Sequence, residues 1–211
     1  MRVRAAGSMT GRTIARRGGS ATLVDILEVF REYPGLLPGL VITVGVAILL
    51  SAPVARGLDI HRGLAWLLLI GFGIVASATL TPGREAVDFG LAGNGVCDLT
   101  RWWPAPRALF SINYTTLNIA MTVPLGLAVG LLPRSPRKLA LLVIALALPP
   151  NVEIIQAAVT ALGRACQASD VVDNELGLAV GLLIGVIVGR AWPGLAGPRL
   201  DDAAAGDGRG G

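Results

Sequence analysis

With 211 residues, 53% hydrophobic and only 15% charged, the chain falls well short of the roughly 25% charged residues usual for a soluble domain and reads as a membrane protein. Its net charge of +4 does not mark a nucleic-acid binder: the arginines fall between apolar segments, and aromatics, the base-stacking residues, make up 5%. Neither cysteine, Cys97 nor Cys166, has metal-site spacing and His61 is the sole histidine, so no metal and no cofactor is expected.

Residues 1–33 form a basic leader, with Arg2, Arg4, Arg12, Arg16 and Arg17 ahead of Asp25, Glu28, Arg31 and Glu32. Within it, 22–33 has the composition of a short amphipathic helix at the membrane surface, while the part before Ser20 reads equally well as disordered. Met9 is an alternative start. No cleavable signal peptide is expected, because the first apolar run begins only near Gly35 and no small-residue cleavage pattern follows.

Five apolar segments come next, at about 35–54, 64–80, 116–132, 139–162 and 171–192. Each approaches the roughly 20 residues that cross a hydrocarbon core. Lipid offers the backbone no hydrogen-bond partners and no segment alternates like a barrel strand, so the expected fold is all-α, a polytopic transmembrane helical bundle over 34–192. Pro149-Pro150 removes two backbone donors and predicts a kink or break just before Glu153. The tail 193–211 is low-complexity and expected to be disordered.

Topology follows from the cations. Arg56 and Arg62 follow the first segment, Arg134, Arg137 and Lys138 the third, and Arg190 ends the fifth. Placing these in the cytoplasm puts the amino terminus outside, against the pull of the arginine-rich leader. Cys97 and Cys166 then lie in the two outer loops, where a disulfide persists; the alternative is two unpaired small hydrophobes. GLAVG occurs at 126–130 and at 177–181, and the second copy continues through Gly185 and Gly189. Gly177, Gly181, Gly185 and Gly189 make one smooth helical stripe suited to a close helix–helix partner.

The polar exceptions gather late: Glu153, Gln156, Arg164, Asp170, Asp173 and Asn174. A carboxylate at membrane depth costs on the order of 2–3 kcal/mol unless it pairs, neutralises or meets water. Glu153 and Gln156, three apart, share a helix face.

Asn118 with Pro124-Leu125-Gly126, then Glu153-x-x-Gln156, Arg164, Asp170, Asn174 and Gly177, resembles in order and spacing the VanZ-like family of small bacterial membrane proteins. The likeness covers about 110–190, with ATLTPG at 78–83 similar to the exit of the family's first helix. Thr122, where the family has an aromatic, and Asn151, where it has a small hydroxyl residue, depart from the pattern. The resemblance implies an α-helical protein of the bacterial plasma membrane, linked to glycopeptide (teicoplanin) susceptibility.

Asn118, Glu153, Gln156, Arg164, Asp170 and Asn174 are the candidate site residues. Arg164 and Asp170 could pair, Asp170 could instead cap the last helix, and the rest could bond across helices as structural glue. Functionally, they could form an outward pocket for a membrane lipid or lipid-linked cell-wall precursor. An intramembrane enzyme with Glu153 as acid or base and Arg164 on a headgroup is a second reading, needing a polar cavity at Glu153. A transport or assembly subunit is a third, needing the glycine stripe free. Trp66, Trp102, Trp103 and Trp192 are expected at membrane interfaces.

Overall fold

The computed structural model describes residues 30–100, 102–103, 114–192 and 194; nearly all of the basic leader and almost the whole C-terminal tail lie outside these. Helices α1 (Leu36–Leu58) and α2 (Arg62–Thr79) form a hairpin, and a short α3 (Arg84–Phe89) follows. Then come α4 (Tyr114–Leu131), α5 (Pro136–Ala158) and α6 (Ala168–Ala191). All but α3 are long and apolar enough to cross a membrane. No more than 39% of any spanning window is buried inside the protein, so most of that apolar surface requires lipid. Leu49, for example, is 75% exposed.

Small residues set the packing. Along α1, Thr43, Ala47, Ser51 and Ala55 recur every four residues and are the buried ones. Gly39 lies against Ser77, and Thr43 against Gly73, so α1 and α2 run antiparallel with Thr43 Oγ1 and Ser77 Oγ 3.2 Å apart. α4 and α6 run parallel. A Cβ on Gly177, Gly181 or Gly185 would strike the carbonyls of Ile119, Val123 or Leu127, and one on Gly126 or Gly130 would strike those of Leu178 or Leu182. The two GLAVG copies therefore face each other inside one chain. Most of the larger side chains of this core, Leu64, Leu68, Leu125, Val129 and Leu178, come from α2, α4 and α6, with Ile60 and Leu132 added from the α1–α2 and α4–α5 turns.

Two expectations on helix limits change. Pro149 and Pro150 lie within an uninterrupted α5, which ends at Ala158, with a 3-10 turn at Thr160–Leu162 beyond it. The prolines cost only their own two donors, and Asn151 Nδ2 donates to Ala147 O at 2.6 Å, bracing the same turn. α6 begins at Ala168, earlier than 171.

Chain alternation gathers Arg56, Arg62, Arg134, Arg137, Lys138 and Arg190 at one end of the bundle, where Arg137 Nη1 donates to Leu58 O at 3.3 Å. At the other end two loops are stitched together. Strand β1 (Cys97–Asp98) pairs in parallel with β2 (Cys166–Gln167), and a Cys97–Cys166 disulfide joins the paired residues. Gly93 N–H donates to Thr160 O at 2.7 Å and Gly83 N–H to Leu162 O at 3.0 Å. Gly163 ends the 3-10 turn at φ 61, a conformation that favours glycine.

Candidate functional site

All six predicted polar residues lie toward the disulfide end, in two groups. The first is a latch. The last turns of α5 carry Glu153, only 5% exposed, and its Oε2 accepts from Gln167 N–H at 2.8 Å. That bond ties α5 to the chain entering α6. One turn on, buried Gln156 donates through Nε2 to Thr79 O at 2.9 Å, reaching the end of α2. Arg164 completes the latch by donating to Ala78 O (2.8 Å) and twice to Thr81 O (3.0 and 3.1 Å). The closing carbonyls of a helix lack intrahelical donors, and its C-terminus favours a cation. Arg164 supplies both needs for α2.

The guanidinium of Arg164 also lies 4.2 Å from the Tyr33 ring centroid, a cation–π geometry. Burial lowers the Arg164 pKa from its usual value, and burial raises that of Tyr33 against the opposing pull of the Arg164 charge. Of the open roles, the Arg164–Asp170 ion pair is not formed: among the described residues the ion pair is Arg84–Asp88, and Arg164 Nε and Nη2 donate to carbonyls. Asp170 is not the cap of α6 either. Gln167 holds the cap position and Asp170 sits in the first turn, where the helix dipole still favours its charge.

The second group lies between the first turns of α4 and α6. Asp170 stands beside Asn118 and Ser169, and Asp173 beside Thr115. Asp173 and Asn174 are each 2% exposed, and their Oδ1 atoms have no hydrogen-bond partner among the described residues. Below them Thr122, fully buried, donates to Asn174 O at 2.9 Å. Its small side chain fits there because Gly177 faces it. In the sequence Thr122 reads as a departure from a pattern, and Asp173 falls outside the candidate site residues. The signal was present, because stepping the glycine stripe back by four from Gly177 gives Asp173 and Ser169, on the face turned to α4.

Two cavities lie elsewhere. One of about 340 Å³ is walled by Val129, Leu142, Ala145 and Leu178, with Glu175 at its edge, and one of about 470 Å³ opens at the basic end. Glu153 lines neither. Among the described residues no three His, Cys, Asp or Glu side chains gather as a metal cage. Trp66, Trp102, Trp103 and Trp192 are exposed, as interface anchors are.

The VanZ/LLP1 family model matches residues 40–189, taking in α1 and α2 as well as the region from 110 onward. No curated protein and no solved structure matches the chain. The family match spans all five membrane-length helices, both cysteines and both polar groups, and the chain belongs to the VanZ-like family of membrane proteins.

Proposed function

We propose that this is a multi-pass protein of the bacterial plasma membrane that binds the headgroup of a lipid-linked cell-wall component between α4 and α6, and so alters glycopeptide susceptibility. The observation that carries the reading is the pair of buried acceptors, Asp173 Oδ1 and Asn174 Oδ1, without a donor among the described residues. Leaving such an atom unsatisfied costs about 1–3 kcal/mol, so the arrangement favours an incoming donor. Sugar hydroxyls and amides supply such donors. The disulfide ties Cys97, five residues before exposed Trp102, to Cys166 at the entry to α6, so an aromatic surface for sugar or lipid is tethered to the same end of the bundle.

The enzymatic alternative has less support. Glu153 and Arg164 are engaged by backbone groups, and neither cavity reaches Glu153. For the assembly alternative, α4 of the same chain covers Gly177, Gly181 and Gly185.

The test is teicoplanin susceptibility in cells expressing wild type, Asn174→Leu or Asp173→Asn, with membrane abundance followed by blotting. Asn174→Leu removes a buried unsatisfied acceptor, so it is expected to accumulate at least as well as wild type yet give no protection. Protection that tracks abundance in every variant, or no protection from wild type, ends the reading.

A further inference from the structure

At the basic end, the cavity of about 470 Å³ lies between the last turns of α4 and α6 and the first turn of α5. Leu131, Leu132 and Val186 form its apolar wall, and Arg134, Lys138 and Arg190 its rim. Its size falls in the roughly 300–1,000 Å³ range of small-molecule sites. Lys138 is fixed in place: Nζ donates to Gly130 O at 3.0 Å and Leu132 O at 2.9 Å, capping α4. An ammonium has three donors, so one remains. Arg134 and Arg190 are exposed and form no ion pair among the described residues. Three like charges converge on one apolar hollow, and the carboxylate described at this end, Asp59, belongs to the α1–α2 turn.

The depth of the site identifies its occupant. Arg190 and exposed Trp192 close α6, a level at which indoles sit among lipid headgroups. One turn further into the bilayer, Gly126, Val129, Leu142, Ala145, Glu175 and Leu182 line the cavity of about 340 Å³ in the groove where α5 meets the α4–α6 pair. A soluble anion would use the rim alone. An amphiphile with an anionic head uses rim, wall and groove together.

We infer that this hollow is a site for an anionic phospholipid, its phosphate held by Arg134, Lys138 and Arg190 and one acyl chain lying in the groove between α5 and the α4–α6 pair. Basic pockets between helices at the cytoplasmic face suit such headgroups, and each surface arginine contributes roughly a fivefold preference for anionic lipid. The site lies at the opposite end from Asp173 and Asn174 and does not depend on the function proposed for them.

The full-length protein is reconstituted in vesicles of phosphatidylcholine with a minor fraction of phosphatidylglycerol, extracted mildly, and its retained lipid analysed by mass spectrometry. Wild type is expected to retain phosphatidylglycerol well above its share of the vesicle. The doubly substituted Arg134→Gln/Arg190→Gln protein is expected to lose more than tenfold of that enrichment, while Arg56→Gln, at the same end but outside the hollow, keeps it. An intact Cys97–Cys166 disulfide and a monodisperse elution profile show that the double variant is folded, and Arg134→Lys/Arg190→Lys restores part of the enrichment. Wild type without enrichment, a double variant that keeps it, or an equal loss in Arg56→Gln each overturns the inference. So does displacement of the lipid by inorganic phosphate, which would mark a site for a soluble anion.

Discussion

Replacing Arg164 with alanine strips three hydrogen bonds from the carbonyls of Ala78 and Thr81 and removes the cation over Tyr33. Charge-assisted bonds of this kind contribute about 1.5–3 kcal/mol, and the carbonyls at the end of α2 lose the donors that Arg164 supplies. Arg164→Ala should therefore lower the thermal unfolding midpoint in detergent by an amount equivalent to about 3 kcal/mol. Arg164→Lys should recover less than half, because an ammonium on a flexible stem lacks the planar fork from which Arg164 Nε and Nη2 make three bonds to two carbonyls. A midpoint unchanged in Arg164→Ala would show that the latch contributes nothing to stability. Glu153, Gln156 and Arg164 were legible from sequence because polar groups in apolar segments are costly. Their partners were not: Gln167 N–H, Thr79 O, Ala78 O and Thr81 O are backbone atoms, which no side-chain pattern displays. Arg164 and Asp170 looked like a natural ion pair for the same reason, since only the side chains of each were visible.

For the helices, the decisive variable is how closely two backbones approach. At Gly181 a Cβ would meet the carbonyl of Val123 and lie 2.8 Å from Leu127 N, whereas at Gly45 nothing lies within 4 Å. Gly181→Ala forces α4 and α6 apart over their central contact and should destabilise by about 1–3 kcal/mol, the usual cost of overpacking. Gly45→Ala adds a methyl to open space and should be neutral or stabilise by up to about 1 kcal/mol through helix propensity. Thermal midpoints of the two variants, measured side by side, decide it: equal shifts would mean that close packing of α4 on α6 does not hold the bundle. The glycine stripe on α6 was readable because one residue type repeats at a fixed step. The equivalent stripe on α1 was missed, since Gly39, Thr43, Ala47, Ser51 and Ala55 share small size and not identity. The five spans themselves were plain from hydropathy. Their ends were less so, because a double proline in lipid costs two donors without ending a helix that neighbours brace.

The whole molecule is polarised, with cations at one end and a disulfide at the other, and both features bear on orientation. Positive charge favours the cytoplasmic side, and a disulfide persists only where thiols are not kept reduced. The two constraints together predict that Cys97 and Cys166 face outward and the basic end inward, the orientation in which the chain enters α1 from outside. In intact cells a membrane-permeant maleimide should then leave the wild-type thiols unmodified until reductant is added. A cysteine introduced by Arg134→Cys into a chain carrying Cys97→Ser and Cys166→Ser should react with an impermeant maleimide only after the cells are permeabilised. Free thiols in untreated cells, together with outside labelling at position 134, would invert the topology and place the proposed headgroup site on the wrong leaflet. The bridge also matters energetically. It closes a loop across a sequence separation of 69, worth at most about 4 kcal/mol of chain entropy. Much of that loop is already held in α4 and α5, so reduction should loosen the Trp102–Trp103 segment and the pairing of β1 with β2 while the five spans stay inserted. Proteolysis near position 100 should accelerate on reduction while the helical circular dichroism signal holds. A loss of helix on reduction would instead mean that the stitched loops, and not the α4–α6 contact, keep the bundle together.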